Sequence, residues 1–309
     1  MKFMRVVFLG NNNFSTTVLE ALYNSTHEVV GVVCSLDKPV GRGNRLEMCE
    51  VKKYALAHDI PVLQYKSVSK EGEADVKALK PDVLVTASFG QMLRENILYL
   101  AKYGVINVHG SLLPKYRGAT PVQTAFFNGE KTTGVTIMQS DIGMDTGDIL
   151  YQQEFDILDT DTALELFDRM ANVGASALLK VLDDIDYYMA NRQKQNDDQA
   201  TNTYLIKDSR IDWTQDAKTI VNFIRGNNPY SMAYCMFRDA VFKVGFATEC
   251  DNPDNIPAGE VMQANKAGLI VACGKGAVNL TRVQPAGKKM MSARDYLNGA
   301  RVQLGEVMS

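Results

Sequence analysis

Short apolar runs at residues 6–9, 29–34, 82–87 and 105–108, each set off from the next by a stretch with helical signals, constrain this fold more than anything else in the chain. Runs of this length and composition read as strands buried on both faces, which is how parallel strands look when helices cover both sides of a sheet. The intervening helices are expected at about 14–23, 50–57, 75–79 and 93–100, the first carrying a Thr17-Val18-Leu19-Glu20 capping-box spacing. Repeated βα units imply a Rossmann-like α/β domain with a mostly parallel sheet, and such sheets bind ligands at the carboxyl ends of their strands. Thr120-Pro121 then opens a helix that should stop at Gly129, residues 134–139 form another strand, and 162–189 reads as one long closing helix.

The second part of the chain has a different rhythm. Residues 191–202 are polar and aperiodic, as a linker would be. Beyond a helix at 216–224 come short β-like runs at 240–247, 259–263, 269–273 and 277–283, parted by Gly, Asn and Asp, which suggests a small antiparallel barrel. The expected division is therefore a catalytic domain over 1–189, a linker over 190–206 and a smaller C-terminal β-barrel domain over 207–309.

Composition excludes several classes. With 46% hydrophobic and 22% charged residues the chain reads as a soluble globular protein, and no apolar run has the length of a membrane span. The five cysteines form no CxxC pair, so they read as buried or incidental thiols of a reducing cytoplasm, and the three histidines offer no zinc-ligand spacing. Residues 1–205 hold 20 Lys and Arg against 26 Asp and Glu (net −6), whereas residues 206–309 hold 13 against 10 (net +3). A mildly basic tail on an acidic body is compatible with an RNA partner.

The chemistry points to Asn107-Val108-His109-Gly110-Ser111-Leu112-Leu113-Pro114-Lys115-Tyr116-Arg117-Gly118. Residues i and i+2 of a strand project from one face, so Asn107 and His109 would share a space at a strand end. An amide donor beside an imidazole suits a reaction in which a carbonyl oxygen gains negative charge while a proton moves. An isolated Asn-x-His more often caps backbone groups, and Asp145, in an acidic turn, more often binds its own backbone.

Together with Asp141-Ile-Gly-Met-Asp-Thr-Gly-Asp148, however, this stretch resembles the 10-formyltetrahydrofolate-dependent formyltransferases. The resemblance runs almost end to end, through Lys38-Pro39-Val40-Gly41-Arg42-Gly43, Arg210-Ile211-Asp212-Trp213 and Gln284-Pro-Ala-Gly-Lys-Lys-Met290, and the last two point to the tRNA-acting branch. It implies an OB-like form for the C-terminal barrel. It also implies a catalytic trio of Asn107, His109 and Asp145. Asn107 would donate to the oxyanion, His109 would add a donor and proton source, and Asp145 would orient the imidazole. The nucleophile would be an α-amino group, already largely neutral near its pKa of ~8, so no strong base is needed.

The same resemblance places 10-formyltetrahydrofolate, as co-substrate and without a metal, against Ser111, Leu112, Leu113 and Pro114, against Phe89, Gly90, Gln91 and Leu93, and near Asp141. It implies initiator methionyl-tRNA as the acceptor, met by Lys38, Arg42 and Arg45, in a cytoplasmic protein expected to be a monomer away from any membrane. Three departures qualify it. Asn44-Arg45 replaces a usual Lys-Lys pair, Gly10-Asn11-Asn12-Asn13-Phe14-Ser15 replaces Gly-Thr-Pro-x-Phe-Ala, and Gly110 replaces a small residue, often alanine. The second leaves the methionine contacts open, and also lacks the G-x-G-x-x-G of a dinucleotide site. Competing readings are a formyltransferase for a sugar-nucleotide or purine-pathway amine, a formyl-folate hydrolase, and an RNA-binding protein with an inactive catalytic half.

Overall fold

Buried strands form where the apolar runs fall. The computed structural model describes residues 2–40 and 45–309, so Arg42 and its glycine neighbours lie outside the described residues. The chain begins β1 (Arg5–Gly10), α1 (Asn13–Tyr23), β2 (Glu28–Cys34), β3 (Lys38–Val40), β4 (Arg45–Glu47), α2 (Glu50–Ala57) and β5 (Val62–Gln64). Next come α3 (Val68–Glu71), α4 (Glu73–Ala78), β6 (Val83–Ala87), α5 (Glu95–Leu98), β7 (Val105–His109), β8 (Arg117–Gly118) and α6 (Pro121–Phe127). Then follow β9 (Thr132–Gln139), β10 (Ile149–Asp156), α7 (Ala163–Asp183), α8 (Ile185–Ala190) and β11 (Asn202–Thr203).

Seven of these strands pair in the order β10-β9-β7-β6-β1-β2-β5. From β7 to β5 every pairing is parallel, and β9 and β10 close the other side antiparallel. The centres of the core strands are apolar and buried: Val6, Val7, Phe8 and Leu9 of β1, and Val83, Leu84 and Val85 of β6, have no exposed surface. Strand β7 is the seam, parallel to β6 and antiparallel to β9, and His109 is its last residue.

Several helix ends differ from the sequence expectation. Helix α1 is capped by Asn12, whose side chain accepts the Ser15 N–H, so Thr17 lies inside the helix and its hydroxyl bonds back to the Asn13 carbonyl at 3.2 Å. The N-cap competition was decided one turn earlier because Asn12 already satisfies an orphan N–H. The long closing helix is two, broken at Asp184 (φ −133°, ψ 48°). The helix expected over 93–100 keeps only Glu95–Leu98. Among the described residues no helix is long and apolar enough to cross a membrane.

By packing, the chain forms two units that are discontinuous in sequence: Met1–Ala119, Thr132–Asp156 and Phe167–Thr203 in one, and Thr120–Lys131, Ile157–Leu166 and Tyr204–Ser309 in the other. The stretch expected as linker is thus in good part structured: β11 pairs in parallel with β8, Asn202 against Arg117 and Thr203 against Gly118. The second unit adds α9 (Ala217–Asn227), β12 (Tyr234–Phe237), β13 (Ala240–Cys250), β14 (Val261–Asn265), β15 (Gly268–Ala272), β16 (Ala277–Pro285), β17 (Met291–Ser292) and α10 (Ala293–Ala300). Its six strands are antiparallel, β12-β13-β16-β15-β14 with β17 beside β16.

Its core gathers Trp213, Ile220 and Ile224 with Phe237, Phe242, Val271 and Leu280. Residues 120–131 and 157–166 join this unit through Arg225, which is buried, donates from Nε to the Asp161 carbonyl at 2.7 Å and lies over the Phe126 ring.

One buried group makes the first unit sensitive to acid. The His27 side chain is wholly buried, neither ring nitrogen has a hydrogen-bond partner, and Asp183 lies 3.7 Å away. Burial lowers its pKa below the usual 6.5, and the nearby Asp183 carboxylate offsets only part of that. The unfolded chain therefore takes up the proton first as pH falls. Stability is full above 6.5 and declines below it until the folded-state value is passed. Thermal unfolding followed from pH 7.5 to 5.5 should show a steeper loss for the native chain than for His27→Gln; parallel curves would refute this origin.

Candidate active site

The three residues singled out at the end of β7 and in the acidic turn come together. Asn107 and His109 project from one face of β7, Asn107 pairing with Thr86 of β6 and Met138 of β9. The Thr86 hydroxyl donates to Asn107 Oδ1 at 2.9 Å, which orients the amide so that its nitrogen points away. That nitrogen has no acceptor among the described residues, so its hydrogens are available to a ligand. His109 is 6% exposed and its Nε2 lies 3.0 Å from the Tyr116 carbonyl, which assigns the Nε2 proton and turns Nδ1 toward Asp145. The Nδ1–Oδ2 distance is 3.6 Å, an electrostatic contact rather than a hydrogen bond.

The carboxylate is placed by the backbone. Gly118 N–H donates to Asp145 Oδ2 at 2.8 Å. Asp145 itself sits at φ 55°, a left-handed conformation that Asp tolerates better than most side chains. Two glycines make the approach possible. A Cβ on Gly118, at φ +108°, would stand 2.5 Å from the Thr203 carbonyl oxygen, and one on Gly147 would stand 1.8 Å from the Gln139 carbonyl oxygen. These contacts give the Arg-Gly and Thr-Gly-Asp spellings a steric reason.

Two residues that sequence reasoning missed complete the frame. Gln195 donates from Nε2 to the carbonyls of Asp145 and Gly147, both at 2.8 Å, while its Oε1 accepts from Arg117 Nε and Nη2 at 3.0 and 2.8 Å. Arg117 is further held by Asp197 at 2.8 Å. Nothing in a polar, aperiodic stretch announces such a role. Thr86, by contrast, could have been found, because the only polar residue of an otherwise apolar central strand asks for a partner.

The residues assigned to the folate pocket fall into two groups. Ser111 is fully buried, with its hydroxyl donating to the Lys115 carbonyl at 2.7 Å and its own carbonyl accepting from Thr136. Leu113 is buried, its N–H bonded to Thr136 Oγ1 and its carbonyl to Gln152. Gln91 spans Val68 N and the Tyr65 carbonyl, and the Asp141 carboxylate binds Gly143 N–H and the Thr146 hydroxyl in its own loop. The polar groups of these four residues are thus engaged within the protein. Leu112 and Pro114 are half-buried beside them.

Phe89 is buried in a cluster with Leu9, Val33 and Ile97, with Leu93 packed against it, and its carbonyl accepts from Asn11 Nδ2 at 2.6 Å. Gly90 follows at φ +77° with no atom within 4 Å of where its Cβ would stand. The backbone polar groups of Gly90 and Met92 have no partner among the described residues. An open strand-end edge with free donors and acceptors fits a flat heterocycle bound through the main chain.

Lys38 and Arg45 are exposed on adjacent strands of the β3–β4 ribbon, with Lys38 opposite Glu47 and Arg45 opposite Val40. Arg42 lies outside the described residues.

Residues 4–182 match the formyl transferase family model and residues 206–301 match its C-terminal domain. The chain belongs to the formyl transferase family. It is 40% identical to the methionyl-tRNA formyltransferase of Acetivibrio thermocellus, over 309 residues covering 99% of both chains. Among solved structures it resembles WlaRD, a sugar 3N-formyl transferase crystallised with dTDP and 5-N-formyl-THF, with TM-score 0.65, 20% identity and coverage of 94% of this chain and 100% of that one. It also resembles HypX from Aquifex aeolicus in complex with tetrahydrofolic acid, with TM-score 0.63 and 15% identity over 95% of this chain but only 47% of HypX. At those identities the two structures speak for the fold alone: a mixed, mostly parallel α/β unit with an antiparallel β unit after it.

The Gln195 contacts generate a test. Gln195→Ala removes both tethers on the 145–147 backbone, and in this formyl transferase kcat should fall about tenfold, roughly 1.4 kcal/mol, with thermal stability little changed. Steady-state kinetics on a correctly folded variant with native kcat would show that the loop holds itself.

Proposed function

We propose that the chain transfers the formyl group of 10-formyltetrahydrofolate to the α-amino group of methionyl-initiator tRNA, as a monomer in the cytoplasm. In this reading 1–189 carries catalysis and 207–309 assists tRNA binding. The observation that carries it is the outward-facing amide of Asn107 beside His109 and Asp145 at one strand end, in a member of this family.

The amine nitrogen attacks the formyl carbon, and the carbonyl π pair moves onto oxygen. Asn107 Nδ2 donates to that oxyanion. A donor set in advance by Thr86 needs no reorganisation as the charge forms, and loss of one such donor costs about 3 kcal/mol. The attacking nitrogen then loses a proton, and N10 of the folate gains one as its bond to carbon breaks. Asp145 receives the first and hands it to the facing Nδ1 of His109, which delivers it to N10 while Nε2 keeps its own proton on the Tyr116 carbonyl, so both side chains return to their starting state. An α-amino group is substantially neutral near pH 8, so a weak carboxylate base suffices. The pterin edge lies along the free backbone of 90–92, and Leu112 and Pro114 flank the rest of the folate.

Purified protein incubated with 10-formyltetrahydrofolate and separately charged tRNAs should formylate initiator methionyl-tRNA alone. Formylation of a sugar-nucleotide amine instead, or none at all, would overturn the assignment. Asn107→Ala and His109→Ala should each lower kcat by about 10² or more, with native circular dichroism. Arg42→Leu should raise KM for tRNA without altering folate affinity.

Lys38, Arg42 and Arg45 are the only cations this reading assigns to tRNA. The slope of log affinity for tRNA against log salt should therefore be shallow, about −3, as measured by filter binding from 50 to 200 mM salt. A slope near −10 would place the tRNA on a far more basic surface.

A further inference from the structure

We propose that Asn11 is a positioning residue for formyl transfer, fixing the open backbone edge at 90–92 to the two chain ends at the root of the β3–β4 ribbon. The role rests on the placement of the folate along that edge and adds to it, because Asn11 acts through the main chain. Asn11 directly follows β1. Its four polar groups are all engaged. The N–H donates to Ser15 Oγ at 3.1 Å and the carbonyl accepts the Glu50 N–H at 3.1 Å. In the side chain, Oδ1 accepts the Ser35 N–H at 2.7 Å and Nδ2 donates to the Phe89 carbonyl at 2.6 Å. Ser35 follows β2, Phe89 follows β6 and Glu50 opens α2, so one residue meets three segments distant in sequence.

The two side-chain partners admit one orientation of the amide. Turned over, it would set N–H against the Ser35 N–H and oxygen against the Phe89 carbonyl. Each side of this bridge is itself held. The Ser35 carbonyl accepts from Gln64 Nε2 at 2.7 Å, Gln64 also donates to Asp37 at 2.9 Å, and Lys52 pairs with Asp37 at 2.7 Å. On the folate side the Ala87 carbonyl accepts the Ser15 hydroxyl at 2.6 Å, and the Gln91 side chain is bonded to Val68 N–H and the Tyr65 carbonyl. Gly90, at φ +77°, is thus fixed from both sides while its own polar groups stay open among the described residues. A main chain already set in its binding geometry spares the ligand the cost of ordering it.

Aspartate at this position separates positioning from packing. Asn11→Asp keeps the shape and the oxygen that accepts the Ser35 N–H, but turns the donor facing Phe89 into a second acceptor. A side chain that merely filled space would be insensitive to that exchange. Asn11→Ala removes both bonds. Loss of ligand affinity without loss of turnover is the signature of a group that sets binding geometry and takes no part in the chemical step.

Tetrahydrofolate should be titrated into the full-length chain, and formyl transfer from 10-formyltetrahydrofolate followed at steady state. In Asn11→Asp both Kd and the folate KM should rise about tenfold, at least as much as in Asn11→Ala, with kcat close to native. Hydrogen exchange on the unaltered chain supplies a second measurement that needs no variant to fold. Saturating tetrahydrofolate should slow exchange at 90–92 and also at Ser35 and Glu50. Native folate affinity in Asn11→Asp, a fall in kcat with KM unchanged, or protection confined to 90–92 would each overturn the role of Asn11 alone. Exchange at 90–92 unaffected by tetrahydrofolate would overturn the placement of the folate and this role with it.

Discussion

A single hydrogen bond, from the Gly118 N–H to the Asp145 carboxylate, makes one site out of two distant motifs. A bond to a charged acceptor at 2.8 Å is worth about 1.5–3 kcal/mol. The neighbouring His109 contact, at 3.6 Å, is too long to be a hydrogen bond and cannot hold the loop alone. The carboxylate is thus delivered by main-chain geometry, and the imidazole benefits from a charge that other atoms keep in place. Gly118 can serve only because β11 lies so close that any side chain would meet the Thr203 carbonyl. Gln195 fixes the other end of the loop from the same segment. A stretch without any of the proposed catalytic residues therefore determines where one of them stands.

That dependence explains what was legible in the sequence. The parallel strands were plain because their residues are apolar on both faces, and the trio was plain because its members occupy two motifs with a family spelling. Gln195 was not: its role arises from side-chain to backbone bonds, and those leave no periodicity. For the same reason the polar run around it read as linker although it pairs with β8. Helix ends misread where a local cap competed, as at Asn12, or where a continuous apolar pattern crossed a backbone break, as at Asp184. The discontinuous packing units were also hidden, since residues 120–131 and 157–166 carry ordinary helix and turn signals and join the second unit through Arg225.

The Ser-Leu-Leu-Pro stretch shows how a motif can fix a loop through its own internal bonds. Ser111, Thr136 and Gln152 form one chain of bonds with the backbone of 111–113, leaving little freedom to the loop after β7. A polar side chain buried with its bonds satisfied stiffens its surroundings, and the same side chain left unpaired would cost about 1–3 kcal/mol. The Ser-Leu-Leu-Pro spelling is in that sense a statement about loop geometry. What it presents outward is carried by Leu112 and Pro114.

The Asn-rich departure at the end of β1 follows the same logic. Where the family resemblance leads one to expect Thr-Pro, this chain has Asn11 and Asn12; the Asn11 side chain uses both its oxygen and its nitrogen, and the Asn12 oxygen accepts from Ser15. Asn12 caps α1, and Asn11 joins three strand ends by donating to the Phe89 carbonyl at 2.6 Å and accepting the Ser35 N–H while its carbonyl takes the Glu50 N–H. The Asn11 amide is therefore not left to recognise a substrate. Asn11 instead couples the open 89–92 backbone, where the folate edge is proposed to bind, to the chain at Ser35 and Glu50. Rigid coupling of this kind means that a shift of the chain at Ser35 has a direct mechanical route to the backbone at Phe89, through one residue and two hydrogen bonds. A chain that bound its strand ends through threonine and proline would lack that route, since proline has no N–H and threonine has one polar side-chain atom against the two of asparagine.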